Sequence, residues 1–220
     1  MFSIFRKKPE KYPEFWQKYA AKFSEALPAE IKDTRFIAFD TETTGFNFIK
    51  DRMLCIGAVA IHNNSIDVSH SFEEYISQNT FNPETVKIHG IIQHERLETL
   101  TEEEAIKDFL KYIGNSVLVA HHAGFDIGMV NAALERINLP NLKNKVLDTS
   151  NLYRRTRIHS NLINRDKHYT LDDLAETYDI AIKDRHTAAG DAFITAIAFL
   201  KIMGTLNSDK KLNLKTLLKY

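Results

Sequence analysis

Cysteine is almost absent: Cys55 stands alone in 220 residues, which excludes an intramolecular disulfide and any zinc site built from several thiolates. It lies within the apolar run 53–61, where a buried core thiol is expected. An excess of charge of either sign is missing too, with 29 Lys plus Arg against 29 Asp plus Glu. No global field therefore draws a polyanion to the surface, and any such partner must be held locally. No segment approaches the roughly 20 consecutive apolar residues that span a bilayer, so no membrane partner is expected. Met1-Phe2-Ser3-Ile4-Phe5 places its basic residues after a very short apolar stretch instead of before a longer one, unlike a signal peptide, and a cytoplasmic protein is expected. Internal repeats and low-complexity tracts are absent as well. What the chain does have is 44% hydrophobic residues, enough for one sizeable core.

Residues 1–33 read as a separate helical extension, punctuated by Pro9, Pro13 and Pro28, with Phe15, Tyr19, Phe23 and Ala26 at helical spacing. Three strand-like runs follow on short connections, at 36–40, 53–61 and 65–76, which predicts an antiparallel meander. Thr101-Glu102-Glu103-Glu104 is a capping-box signature ahead of a helix carrying Ala105, Ile106, Phe109, Leu110 and Ile113. A strand is expected at 117–120, and a helix from Asp126 to Ile137 that buries Ile127, Val130, Leu134 and Ile137 before Pro140 stops it. Val146 and Leu147 read as a short strand, residues 170–178 as a capped helix, and residues 188–203 as a long apolar helix. A lysine-rich tail, 205–220, closes the chain. Strands alternating with helices after a meander predict an α/β fold with a mixed sheet flanked by helices.

Phe36-Ile37-Ala38-Phe39 leads directly into Asp40-Thr41-Glu42-Thr43-Thr44-Gly45. Strand residues i and i+2 share a face, which puts the Asp40 and Glu42 carboxylates roughly 6.6 Å apart. Two negative charges at that separation repel by roughly 2 to 3 kcal/mol at an effective dielectric near 20, and burial adds desolvation. Taken alone, Asp-x-Glu before Thr and Gly reads as a turn. Two further segments change that balance: His121-His122-Ala123-Gly124-Phe125-Asp126 after a second strand, and His186-Thr187-Ala188-Ala189-Gly190-Asp191 opening an apolar helix. Strand ends and helix starts are where open α/β sheets build their sites. Brought together, Asp40, Glu42, Asp126 and Asp191 would form an all-oxygen pocket suited to magnesium or manganese and unsuited to structural zinc. His186 and Asp191 would diverge by roughly 140° on one continuous helix. His186 is therefore expected in the preceding loop, above the pocket, where a neutral imidazole can act as general base.

In this order, from about residue 35 to 203, the segments resemble the DnaQ-like exonucleases, the group with four acidic residues and a histidine that includes the proofreading subunit of bacterial replicative polymerases. The resemblance rests on Phe39 through Gly45, Ile88-His89-Gly90-Ile91, His121 through Asp126, Leu147-Asp148-Thr149, Tyr169 through Ala175, and Arg185 through Ala192. It implies a ribonuclease H-like fold with the exonuclease domain at 34–204. It further implies metal-dependent hydrolysis from the 3′ end of single-stranded nucleic acid, DNA favoured, releasing nucleoside 5′-monophosphates. Two divalent ions, magnesium or manganese, would be held by Asp40, Glu42, Asp126 and Asp191, with His186 taking the proton of the attacking water. Thr43, Thr44, Gly45, Phe46 and His89 would face the terminal nucleotide. His122 occupies a position where the family commonly has Asn, so the contact made there is open.

Beyond the terminal nucleotide, Arg154, Arg155, Arg157, Arg165 and Lys167, opposed only by Asp166, form a candidate phosphate-tracking rim. Asp148 reads as a helix cap, and Asp172 and Asp173 as capping or solvated. Two other readings share the motifs: an exoribonuclease of the same family, and a non-catalytic module that docks on a polymerase. A phosphatase of small nucleotides would share the acidic pocket but would not need the Thr-Thr-Gly and His-Gly-Ile elements.

Overall fold

The computed structural model describes residues 11–78, 98–157, 168–209 and 211–220. Strands β1 (Phe36–Thr43), β2 (Met53–His62) and β3 (Ser65–Tyr75) form the expected antiparallel meander. Strands β4 (Val117–Ala120) and β5 (Val146–Asp148) add to the other side of β1 in parallel, giving the order β3-β2-β1-β4-β5. This is the mixed sheet of a ribonuclease H-like fold. β1 is central and apolar on both faces because each face is covered. Ile37 and Phe39 enter one core, and Phe36 and Ala38 enter the other.

The first core is closed by helices α2 (Glu102–Ile113) and α3 (Gly124–Arg136). The second is closed by α4 (Thr149–Thr156), α5 (Leu171–Tyr178) and α6 (Ala188–Leu206), with the short α7 (Leu214–Leu217) tucked beneath through buried Leu214 and Leu217. Both predicted capping boxes are present: Thr101 with Glu104 opens α2, and Thr170 with Asp173 opens α5. In α3 the buried stripe is Met129, Val130, Ala133 and Leu134, whereas Ile127 and Ile137 are only partly buried. That helix begins two residues earlier than expected, at Gly124, and its buried face is centred on Met129–Leu134. Helix α4 was expected only through its cap, Asp148, and Arg154 and Arg155 ride its last turn.

N-terminal α1 (Glu14–Ala21) buries Trp16 and Tyr19 in the first core, with Phe15 and Phe23 of the expected face partly buried against it. The helix ends before Phe23 and Ala26, which lie on and beyond a 3-10 turn at Lys22–Ser24. The Tyr19 hydroxyl donates to Asn144 Oδ1 at 2.6 Å and accepts from the Lys143 N–H at 2.8 Å. Helix α6 also departs from expectation. It is the one helix among the described residues long and apolar enough to cross a membrane, at 19 residues and mean hydropathy 1.5. Half of this apolar stretch is buried, and Phe199 packs its ring 5.1 Å from that of Phe36.

Candidate active site

The strand's two-residue period decides where the carboxylates go. Asp40 and Glu42 continue the Phe36–Ala38 side, which faces α6, and Thr41 continues the Ile37–Phe39 side, which faces α3. A register shift between Glu42 and Thr43 ends the regular ladder there. Asp40 pairs across the sheet with Gly57, where an added Cβ would lie 2.2 Å from the carbonyl carbon of Ala188. Glycine at 57 thus lets the first turn of α6 rest on the sheet directly beside Asp40. Thr187 caps that turn by accepting from the Gly190 N–H at 3.0 Å, and Asp191 projects from it. One oxygen each of Asp40, Glu42 and Asp191 lies within 4.8 Å of the other two.

Clustering of this kind is costly, and the carboxyl groups register it. Burial, reinforced by the neighbouring carboxylates, pushes Asp40 well above the usual range and raises Glu42 to about 7. Asp191 is raised by burial, against which the Arg185 guanidinium pulls. A compact set of hard oxygen donors fits a divalent cation of the magnesium class.

Asp126 reaches the site from the other side of β1. It lies in the first turn of α3, 3% exposed, and the backbone N–H and hydroxyl of Thr41 both donate to its Oδ1, at 3.0 and 2.7 Å. It is near enough to raise Asp40 and Glu42, but it is not part of the three-carboxylate cluster. Burial raises its own carboxyl to about 7 despite the two bonds from Thr41. The turn into α3 is held by Asp148, whose Oδ2 accepts from the Ala123 N–H at 3.0 Å while Oδ1 caps α4. The expected cap is thus present, with a second duty.

His186 occupies the predicted loop, exposed, in the left-handed region at φ 67°. Its backbone N–H points to Asp191 Oδ1 at 3.4 Å. Gly190 makes this fold-back feasible, since a Cβ there would lie 1.9 Å from the Asp184 carbonyl oxygen. The neighbouring Arg185 was not singled out in the sequence. Its Nη1 donates to Asp191 Oδ2 and its Nε to Asp172 Oδ1 at 2.7 Å. A cation between acidic segments, one residue before His186, was the available signal. Of the two acids read as capping or solvated, Asp173 caps and Asp172 pairs with this arginine.

The nucleotide-facing expectations divide. Phe46 is 80% exposed, its ring 5.6 Å from that of Phe125, so core packing is ruled out. Phe48 also packs on Phe125, at 6.0 Å, and Ile49 is 85% exposed. The Thr43 and Thr44 hydroxyls turn inward: Thr43 donates to the Gly45 carbonyl at 2.9 Å and Thr44 to Asp51 Oδ1 at 2.9 Å. Gly45 packs against the Asp51 carboxylate, so these residues build the turn that presents Phe46. His122 is exposed at φ 54°, with its ring 6.3 Å from that of His168. His89, Arg165, Asp166 and Lys167 lie outside the described residues. Of the remaining rim, Arg155 and Arg157 are exposed, and their guanidinium groups lie over Tyr220 and Tyr153.

Comparison with known proteins shows what the chain is similar to. DNA polymerase III PolC-type of Caldanaerobacter subterraneus subsp. tengcongensis is 34% identical over 172 residues, and the match covers 78% of this chain but only 12% of that protein. The Staphylococcus aureus polymerase of the same type is 30% identical over 189 residues, again 12% of its length. Among solved structures, Escherichia coli exonuclease I in complex with a dT13 oligonucleotide has a TM-score of 0.67 at 18% identity, covering 81% of this chain and 42% of that one. Exonuclease X in complex with 5′ overhanging duplex DNA has a TM-score of 0.57 at 24% identity, covering 78% and 92%. These two likenesses speak for the fold. The exonuclease family model, RNase_T, matches residues 37–199. With most of its length inside that match, from β1 well into α6, the chain belongs to the DnaQ-like exonuclease family.

Proposed function

We propose that this chain removes nucleotides one at a time from the 3′ end of single-stranded nucleic acid, DNA in the first instance, releasing nucleoside 5′-monophosphates. The observation that carries the reading is the meeting of Asp40, Glu42 and Asp191 oxygens within 4.8 Å, under a loop that leaves His186 exposed. A divalent cation held by these three, with a second shared by Asp40 and Asp126, would supply neutralisation of the charge that builds on the phosphate and ease ionisation of water. The chain's own contributions follow from its geometry. His186, exposed in the loop that leads into α6, takes the proton of the attacking water. Thr41 fixes the direction of Asp126 through two hydrogen bonds. Phe46, braced by Phe125, offers a flat apolar surface for the terminal base. The relatives' name, DNA polymerase III, supports a proofreading role beside a polymerase as the setting.

Digestion of a 5′-labelled single-stranded oligonucleotide tests this. A ladder shortening by one nucleotide with magnesium or manganese, abolished by EDTA and by Asp40→Ala, is expected. Matched DNA and RNA strands then rank the substrates. Products cut internally, or equal cleavage by Asp40→Ala, would overturn the reading.

A further inference from the structure

The acidic pocket already contains a cation of its own. Arg185 is one-fifth exposed and divides its guanidinium between two carboxylates of opposite character: Asp191, 6% exposed in its side chain, and Asp172, 58% exposed. The other Asp191 oxygen accepts from the His186 N–H, so both oxygens of Asp191 are engaged within the loop 185–187 and its helix. Any divalent ion that joins Asp40 and Glu42 at this cluster needs one of them. A divalent ion at the cluster and the guanidinium on Oδ2 would be two cations on one carboxylate, close enough to repel each other strongly.

From this arrangement, and resting on the metal-pocket reading above, we infer that Arg185 is a resident counter-ion: it holds Asp191 in place in the metal-free protein and is exchanged for the divalent cation. Asp172 is the anchor that makes the exchange reversible. It lies outside the cluster and grips the guanidinium through Nε, so Nη1 can leave Asp191 while the arginine stays tethered. Arg185 is on this view a positioning residue for Asp191, and it sets how tightly the pocket takes metal. Its position immediately before left-handed His186 links that exchange to the loop carrying the imidazole.

Manganese binding to the full chain, followed by the electron paramagnetic resonance signal of the free ion and without nucleic acid, gives a readout independent of activity. Arg185→Gln is expected to bind manganese about tenfold more tightly, the factor that corresponds to losing one competing charge-assisted contact. Asp172→Asn is expected to shift affinity the other way, because the arginine is then left with Asp191 alone. The double variant should match Arg185→Gln, since Asp172 acts only through the arginine. In EDTA Arg185→Gln should melt below the parent chain, and in saturating manganese the difference should close. Weaker or unchanged binding by Arg185→Gln, with the parent binding normally, overturns the exchange and leaves the metal pocket standing. Absence of manganese binding by the parent overturns both. Asp172 is exposed, so its variant retains the test should Arg185→Gln fold poorly.

Discussion

Two segments of this protein carry the same local pattern, a histidine five residues before an aspartate at a helix start, and put it to different use. His121 to Asp126 leads into α3, and His186 to Asp191 leads into α6. Both acids lie in a first helical turn and are buried, at 3% and 4% exposure. The histidines part company through one backbone angle. In the first segment the left-handed residue is His122, so His121 stays in line with β4 and turns inward; in the second it is His186 itself. His121 Nε2 donates to the Tyr169 carbonyl at 2.9 Å, which leaves Nδ1 to accept from the Thr149 hydroxyl at 2.9 Å. Burial, with His122 alongside, holds its pKa down at about 4, and a neutral ring with both nitrogens engaged has no proton to trade. Spacing alone therefore does not separate the two imidazoles; the location of the left-handed residue does, leaving His186, the proposed general base, exposed.

The largest effects should come from the two acids. Asp191→Asn is expected to lower the rate about a thousandfold, the upper end for removing one preorganised electrostatic partner. In EDTA near pH 8 the same variant loses the Arg185 pair as well as the carboxylate repulsion, so its melting temperature should change little. Asp126→Asn keeps an oxygen for Thr41 and removes only repulsion, and it should melt above the parent in EDTA while also losing activity. Parallel melts and initial rates check both, and equal activity of either variant with the parent would break the proposed assignment.

Next come the histidines, for which the two readouts should cross. His186→Ala is expected to lose about 10² in rate, the lower end for a general base, with its melting temperature unchanged because the ring is exposed. His121→Ala should instead destabilise the chain by about 1 to 3 kcal/mol by leaving the Tyr169 carbonyl and Thr149 hydroxyl short of partners. Activity of the folded fraction should fall far less than for His186→Ala. The reverse pattern would exchange the roles of the two imidazoles.

Much of this was legible in the chain, for reasons that can be stated. The meander, both capping boxes and the α6 start follow from periodicity and cap chemistry, which act over a few residues. Asp40 and Glu42 on one face follow from the strand period. What stayed hidden depends on contacts between distant segments. The need for glycine at 57 appears only when α6 is laid on β2, and the Arg185 bridge only when α5 brings Asp172 beside it. Helix α4 was legible only through its cap because Thr149-Ser150-Asn151 is a poor helix former. Asp148 compensates by capping it while bonding Ala123 across the sheet. For α6, one Asp and one Lys within an apolar stretch disguised a run of membrane-spanning length that packs instead as a core helix.

A smaller and more gradual effect separates the two acids by titration. A carboxyl whose folded pKa is raised keeps its proton in the native state after the unfolded chain has released it, so stability falls as pH rises between the two values. Glu42 and Asp126, both raised to about 7 from ordinary values of 4.5 and 3.8, place that window between about pH 4 and 7. In EDTA at constant ionic strength the melting temperature should therefore fall by several degrees from pH 5 to pH 8. Magnesium or manganese should restore it at pH 8 and do little at pH 5, where protons already occupy the pocket. Asp126→Asn removes one of the titrating groups and should flatten the decline. Asp191→Asn should flatten it less, because Arg185 already offsets part of the cost of ionising Asp191. A metal-free melting temperature that stays level or climbs over this range would mean that the carboxyls ionise freely, and the clustering at β1 and α6 would then cost the fold nothing.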